Sequence, residues 1–262
     1  MSNTELIPEL LEKYSNEKFG YGNPGAGENP TVWFLGPEEK GSYEQLQERV
    51  QAWFSVANSN ENFIDIEMFH KALDVIQNKT FADYYFGPNN VTQRTWKGII
   101  EVLFGFDDNP LPDLNSKKSY QRNSFGRSDS SNCIIELSPY QSAALSDVDF
   151  DNKENVMKAA LPNRIKKVGQ LIVRHRPKVV FMHTKAYWSN FEKVIAEAEG
   201  LDTFNREKIQ EAGNFRYYQG YFSFYALIPA PSFAIKGGPE TWFNLGKEIK
   251  RLALNSSEKA TN

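Results

Sequence analysis

Glu38 and Glu39 are the residues of this chain with the most direct chemical use. They follow Gly36-Pro37 at the end of the apolar run Thr31 to Leu35. Two carboxylates in such a turn can orient or deprotonate water and stabilise positive charge. Their plainer use is to favour the positive N-terminal end of a following helix. A further acid, Glu136, ends the apolar run Cys133 to Ile135 and leads into Leu137-Ser138-Pro139. His183 ends a third run, Lys178 to Met182, and Pro229-Ala230-Pro231-Ser232 follows the aromatic, strand-like stretch Arg216 to Ile228.

These corners need strands and helices to hold them. Helical spacing is clear where Leu46, Val50, Trp53, Phe54 and Ala57 recur, and again for Trp96, Ile99, Ile100 and Leu103, with Thr92 as the expected N-cap. Ile165, Val168, Leu171 and Ile172 share one face of a helix that Pro177 stops, and Trp242, Leu245, Ile249 and Leu252 share one face of the last helix. Residues 1–18 read as a short amphipathic helix, 19–30 as a loop, 63–76 as a helix and 84–90 as an aromatic loop. Segment 107–131 reads as a polar loop. Its Lys117, Lys118, Arg122 and Arg127 read as a solvated loop or as one facing phosphate, and the cluster Arg164, Lys166, Lys167, Arg174 and Arg176 reads as solvated charge.

Four short strands separated by helices need crossover connections. The expectation is one α/β domain over residues 1–254, a three-layer α/β/α sandwich on a mostly parallel sheet of about four strands, with a flexible tail from Asn255. Sites on such sheets gather beyond the carboxyl ends of the strands. The corners at Gly36, Glu136 and Pro229 to Ser232 should therefore meet.

Composition narrows the function classes. Thirty Lys and Arg against 33 Asp and Glu leave a formal charge of -3, so any nucleic-acid contact must use a local patch. The single cysteine, Cys133, excludes an intrachain disulfide, and three histidines give no metal-ligand spacing. No cofactor or metal is expected, and the setting is expected to be cytoplasmic. With no 18-residue apolar span and no leader, no membrane partner is expected. Nothing in the chain specifies an oligomeric state.

The order of these motifs resembles the uracil-DNA glycosylase superfamily, especially its single-strand-selective and mismatch-acting branch. There a first strand ends in a Gly-x-Asn-Pro-Gly-like loop that positions water, a second ends in Asn-x-x-Pro, and a late loop reads His-Pro-Ser. The matching positions here are Gly36-Pro37-Glu38-Glu39-Lys40, Glu136-Leu137-Ser138-Pro139 and Ala230-Pro231-Ser232, within a match running from about Thr31 to Leu252. The resemblance implies a uracil-DNA glycosylase-like fold, DNA or a nucleobase-containing ligand as partner, and metal-independent hydrolysis of an N-glycosidic bond on an extruded base.

Departures from the pattern change the expected chemistry. The late-loop histidine, which donates to the oxygen of the departing base, is Ala230 here; one such donor is typically worth about 2.7–4 kcal/mol. The base-reading asparagine is Glu136, which when ionised only accepts hydrogen bonds. Uracil would set its O4 against that acceptor, so a base presenting N–H donors is expected instead: the amino edge of cytosine or adenine, or the N1 and N2 edge of guanine.

The resemblance further implies that Glu38 or Glu39 does the hydrolytic work. Ser232 would contact a phosphate, Lys236 beside Gly237 and Gly238 would help hold it, and Tyr43 would stack on a base. Plainer uses stand beside these: a turn hydroxyl, an exposed loop lysine, a packing aromatic, and for His183 a hydrogen-bonded structural imidazole. Two other functions fit the same residues. One is a non-catalytic nucleotide or nucleic-acid binding module; the other is a small-molecule hydrolase sharing only the sheet architecture.

Overall fold

The structure, a computed structural model, describes residues 8–25, 31–37, 46–57, 62–139, 150–202, 204–231 and 238–260. In chain order the elements begin α1 (Pro8–Glu17), β1 (Gly20–Gly22), β2 (Val32–Gly36), α2 (Leu46–Val56), β3 (Phe63–Ile64) and α3 (Ile66–Gln77). They continue with α4 (Phe81–Phe86), α5 (Arg94–Phe106), α6 (Leu114–Asn123), β4 (Asn132–Glu136), α7 (Phe150–His175) and β5 (Val179–His183). Last come α8 (Trp188–Glu199), β6 (Gln210–Ala212), β7 (Phe215–Gln219), β8 (Phe224–Ile228) and α9 (Pro239–Ala260).

The four apolar runs pair side by side. The contiguous strands β4, β2, β5 and β8 are mutually parallel, with Gly36 opposite Glu136 and His183 opposite Ile228. Each is buried from both sides, which is why each reads as an unbroken apolar run. Alternation sends Phe34, Ile134, Phe181 and Ala226 to one face, under Val50 and Trp53 of α2, Phe69 of α3, Ile99, Ile100 and Leu103 of α5, and Trp242 and Ile249 of α9. Trp33, Leu35, Ile135, Val180, Met182 and Leu227 point the other way, under Val168 and Ile172 of α7 and Phe191, Val194 and Ile195 of α8. Helices thus cover both faces. Cys133 is buried within the second layer, where desolvation pushes its thiol pKa well up and leaves it unreactive.

The expected sheet of about four strands is corrected to a mixed sheet of eight among the described residues, ordered β3-β1-β4-β2-β5-β8-β7-β6. On one side β1, inside the expected loop 19–30, runs antiparallel to β4, and β3 runs parallel to β1. Three-residue and two-residue strands are too short to show a period; they form because the outer edge of β4 offers unpaired backbone groups. On the other side the single strand expected over Arg216 to Ile228 is a hairpin, β7 against β8, extended by β6.

Other boundaries move as well. Phe63 and Ile64 are strand, and the helix begins at Ile66, where the Asp65 carboxylate accepts from the amides of Glu67 and Met68 at 2.9 and 3.1 Å. The aromatic loop 84–90 opens inside α4. Gln93 caps α5 in place of Thr92, accepting from the Trp96 amide at 2.8 Å. Most of the expected polar loop 107–131 is organised around α6, whose Asp113 cap accepts from the Ser116 amide at 2.7 Å. Past Asn255, where a flexible tail was expected, α9 continues as helix to Ala260. Among the described residues, no helix is long and apolar enough to cross a membrane.

Candidate functional site

Parallel pairing brings the carboxyl ends of β2, β4, β5 and β8 to one edge, and the corners do meet there. The chain leaving β4 stays on the chain leaving β2: the Leu137 amide donates to the Gly36 carbonyl at 2.9 Å, and the Ser138 amide to the Pro37 carbonyl at 2.7 Å. Beyond β5, the Thr184 amide donates to the Ile228 carbonyl at 3.1 Å, tying in the corner that continues to Ala230 and Pro231. Pro231 rests directly on α5. A Cβ on Gly98 would stand 2.6 Å from the Pro231 carbonyl oxygen, so only glycine allows this approach.

Gly36 is the point of closest convergence. A Cβ there would lie 2.7 Å from Nε2 of His183 and 3.1 Å from Oε2 of Glu136. The missing side chain is the space in which the imidazole and the carboxylate come together. Burial of His183 lowers its pKa to about 4, so at neutral pH the ring is uncharged and carries one N–H. Its Nδ1 lies 3.2 Å from Oγ1 of Thr184, whose backbone is strained at φ 89°. Such strain needs firm support from its surroundings and is commonest at functional sites.

Arg164 of α7 holds the Glu136 corner from behind. Its guanidinium donates to the carbonyls of Glu136 at 2.6 Å, Leu137 at 3.1 Å, Lys18 at 2.5 Å and Ser15 at 3.3 Å, and stacks on Phe19 at 4.0 Å. The reading of Arg164 as solvated charge is therefore overturned: it is fully buried.

In front of Glu136 and His183 lies a cavity of about 340 Å³, lined also by Gly36's neighbour Pro37, by Thr184, and by Ala230 and Pro231. Its remaining wall comes from helices and from β1. Tyr21, His70, Tyr85 and Trp96 contribute aromatic surface, and Arg49, Gln93 and Thr95 contribute polar groups. The rings support one another: Tyr85 and Trp96 are 5.4 Å apart, His70 and Tyr85 5.8 Å, and Tyr21 and Phe69 5.3 Å. Arg49, on α2, sits over the Phe69 ring at 4.7 Å with one nitrogen 3.4 Å from the Tyr21 hydroxyl.

Buried polar groups from the expected loop 107–131 fix this wall. Gln121 donates to the carbonyls of Tyr85 at 2.7 Å and Val91 at 3.0 Å, and accepts from the Gln93 amide at 3.1 Å. Lys117 pairs with Glu101 of α5 at 2.5 Å, and both are buried. Arg127 binds Asp65 at 2.8 Å and also pairs with Glu67. Lys117 and Arg127 are therefore bracing groups, not solvated charge.

Of the residues expected at the site, Gly36, Pro37, Glu136, His183 and Pro231 surround the cavity. Ser138 and Pro139 are buried beside it and are not among its described lining. Glu38, Glu39, Tyr43, Ser232 and Lys236 lie outside the described residues. Arg49 and His70 were missed, although each had a signal. Arg49 falls on the apolar face of Leu46, Val50 and Trp53, and His70 falls between Ile66 and Leu73. A polar side chain on an apolar stripe points to a buried partner or a pocket.

Among the described residues, no group of three or more His, Cys, Asp or Glu side chains is placed to hold a metal ion. What the site offers is a neutral imidazole, a carboxylate and aromatic faces in one concave space. No known protein-family model matches the chain, and no curated protein does either.

Proposed function

We propose that this chain is a uracil-DNA glycosylase-like α/β/α protein that takes a nucleic-acid base into the cavity at Gly36, Glu136 and Ala230 and hydrolyses its N-glycosidic bond. The observation that carries this reading is the meeting of three strand-end corners around one aromatic-walled cavity of a size suited to a base. The order of the four parallel strands supports it, with the second expected strand beside the first and the third and fourth following on the other side. In this reading the base stacks on the Tyr85 and Trp96 wall and presents N–H donors to the Glu136 carboxylate. Glu38 or Glu39, which follow β2 in the sequence, supplies the group that orients water.

A second reading, a base-binding module without hydrolysis, is favoured by one observation. Ala230 lines the cavity with a methyl group where the resembling family carries its donor. One experiment separates the two. Single- and double-stranded oligonucleotides carrying uracil, hypoxanthine, xanthine, an alkylated purine or a mismatch are incubated with the protein, and released base is measured beside salt-dependent binding. Base release that is lost in Glu38→Gln or Glu39→Gln supports hydrolysis. Binding without release supports the module, and neither binding nor release refutes both.

A further inference from the structure

The chemistry lining the cavity selects among bases, and this selection rests on the base-binding reading above. We propose that the substrate is an N-alkylated purine whose ring carries a positive charge, with N7-methylguanine as the simplest form.

Three features of the site lead there independently. The first is the departing group. When a neutral base leaves, the electron pair of the C1′–N9 or C1′–N1 bond makes it an anion, which needs a donor. Ala230, at the position where the resembling family carries that donor, has none to give. When a cationic N7-alkylguanine leaves, the C1′–N9 pair goes to N9 and cancels the ring charge. Water's oxygen bonds to C1′, a proton from that water passes to solvent, and a neutral base departs. No negative charge develops, so the missing donor costs nothing.

The second feature is Glu136. The N1–H and N2–H groups of guanine both point along one edge and match the two oxygens of a carboxylate. The third is the wall. Tyr21, Tyr85 and Trp96 line the cavity, and aromatic rings attract a cationic ring more strongly than a neutral one, most of all when water is excluded.

The other charged and titratable groups facing the cavity are compatible with this ligand. His183 of β5 is neutral at physiological pH. His70 of α3 is ringed by Phe69, Tyr85, Phe86 and Trp96 at 5.6–6.2 Å, making it part of the wall. Arg49 of α2 is the one cation among the described lining residues. Its guanidinium already lies over Phe69, and a nucleotide brings a phosphate to match it.

The test is calorimetric titration of the full chain with N7-methylguanosine 5′-monophosphate, guanosine, adenosine and uridine 5′-monophosphates, followed by base release from oligonucleotides carrying N7-methylguanine or uracil. The expected result is binding of the methylated nucleotide about thirtyfold tighter than guanosine monophosphate, the scale of one desolvated cation–π contact. Tyr85→Leu and Trp96→Leu should each shrink that ratio, with circular dichroism confirming the fold of each. Two variants are used because Trp96 also packs on Phe125 at 5.3 Å. Glu136→Gln should weaken both guanine nucleotides. Equal affinity for methylated and unmethylated guanosine monophosphate, or faster release of uracil than of N7-methylguanine, overturns this inference and leaves the base-binding reading standing. If no nucleotide binds, both fall.

Discussion

Replacing Arg164 by Met tests how the Glu136 corner is held, and it needs no ligand. Methionine keeps much of the side-chain volume and removes every donor. The carbonyls of Lys18 and Glu136, at 2.5 and 2.6 Å, lose the shortest bonds, and that of Leu137 loses one of 3.1 Å. A buried acceptor left without its partner costs about 1–3 kcal/mol. Ser15, at 3.3 Å and partly exposed, turns to water at little cost. Loss of the stacking on Phe19, at 4.0 Å, adds roughly 0.5–2 kcal/mol. Because the three bonds share one donor group, and that to Glu136 is only part-buried, their costs do not add fully. The expected loss is about 4–6 kcal/mol, a large part of the roughly 5–15 kcal/mol by which a folded domain is stable. Arg164→Lys keeps a charge and loses the fork, so it should fall about midway between the two. Equilibrium urea unfolding measures this, with the midpoint read at unchanged slope. A loss below about 1 kcal/mol for Arg164→Met would refute the account of this corner.

Gly36→Ala should displace His183 or Glu136, since its Cβ would stand 2.7 and 3.1 Å from their side chains. The expected cost is roughly 1–3 kcal/mol with a larger loss of nucleotide affinity; unchanged affinity in calorimetry would count against the shared space. His183 gives stability a pH dependence of defined sign. Its folded pKa of about 4 lies below the ordinary 6.5, so between those values the unfolded chain binds the extra proton. Stability is full above about pH 6.5 and falls by on the order of 3 kcal/mol as pH drops towards 4. His175, also lowered by burial, slopes the same way. The quantity to measure is therefore the difference in urea stability between wild type and His183→Asn across pH 4 to 7.5, and parallel curves would sink the assignment. Gly246→Ala should cost at or above the upper end of the ~1–3 kcal/mol overpacking range. Its Cβ would stand 2.0 Å from the Val102 carbonyl oxygen, forcing α5 and α9 apart. Thermal unfolding within a degree of wild type would contradict that crossing.

The parallel centre of the sheet was legible because Val32 to Leu35, Cys133 to Ile135 and Val179 to Met182 are apolar on both faces and end at punctuating residues. What was not legible has two physical causes. The first is length: Gly20 to Gly22 and Phe63-Ile64 are strands because β4 and β1 pair with them, not through any pattern of their own. The second is polar groups turned inward. In α6, Lys117 and Gln121 are buried to pair with Glu101 and with backbone carbonyls, so the helix shows no apolar period. Arg164 misled in the same way, because a basic residue among basic neighbours on α7 reads as surface until its carbonyl partners are known. At the site, the strand-end corners could be located from the sequence. The wall could not, since Trp96 and Tyr85 look like packing in a helix and a loop.

Under the proposed function, this division is how the cavity keeps its place while its chemistry differs from that of the family the chain resembles. The strand ends place the cavity through backbone pairing, Gly36 against Glu136 and His183 against Ile228, which is indifferent to most side chains. Its character then depends on the few side chains that project from those ends and on the helical wall opposite. In the proposed reading, an acceptor at Glu136 and a methyl group at Ala230 leave the backbone frame intact and give an anionic leaving group no donor at those two positions. In the same reading, the aromatic wall braced by Gln121 and Gln93 favours a base that is positively charged before the bond breaks. On this reading Glu136 and Ala230 act as a matched pair. Restoring a donor alone, by Ala230→His, should therefore not produce uracil release while Glu136 still faces O4; only the double change, with Glu136→Asn, should. Uracil release by Ala230→His alone, measured on a single-stranded oligonucleotide, would show that the two positions act separately.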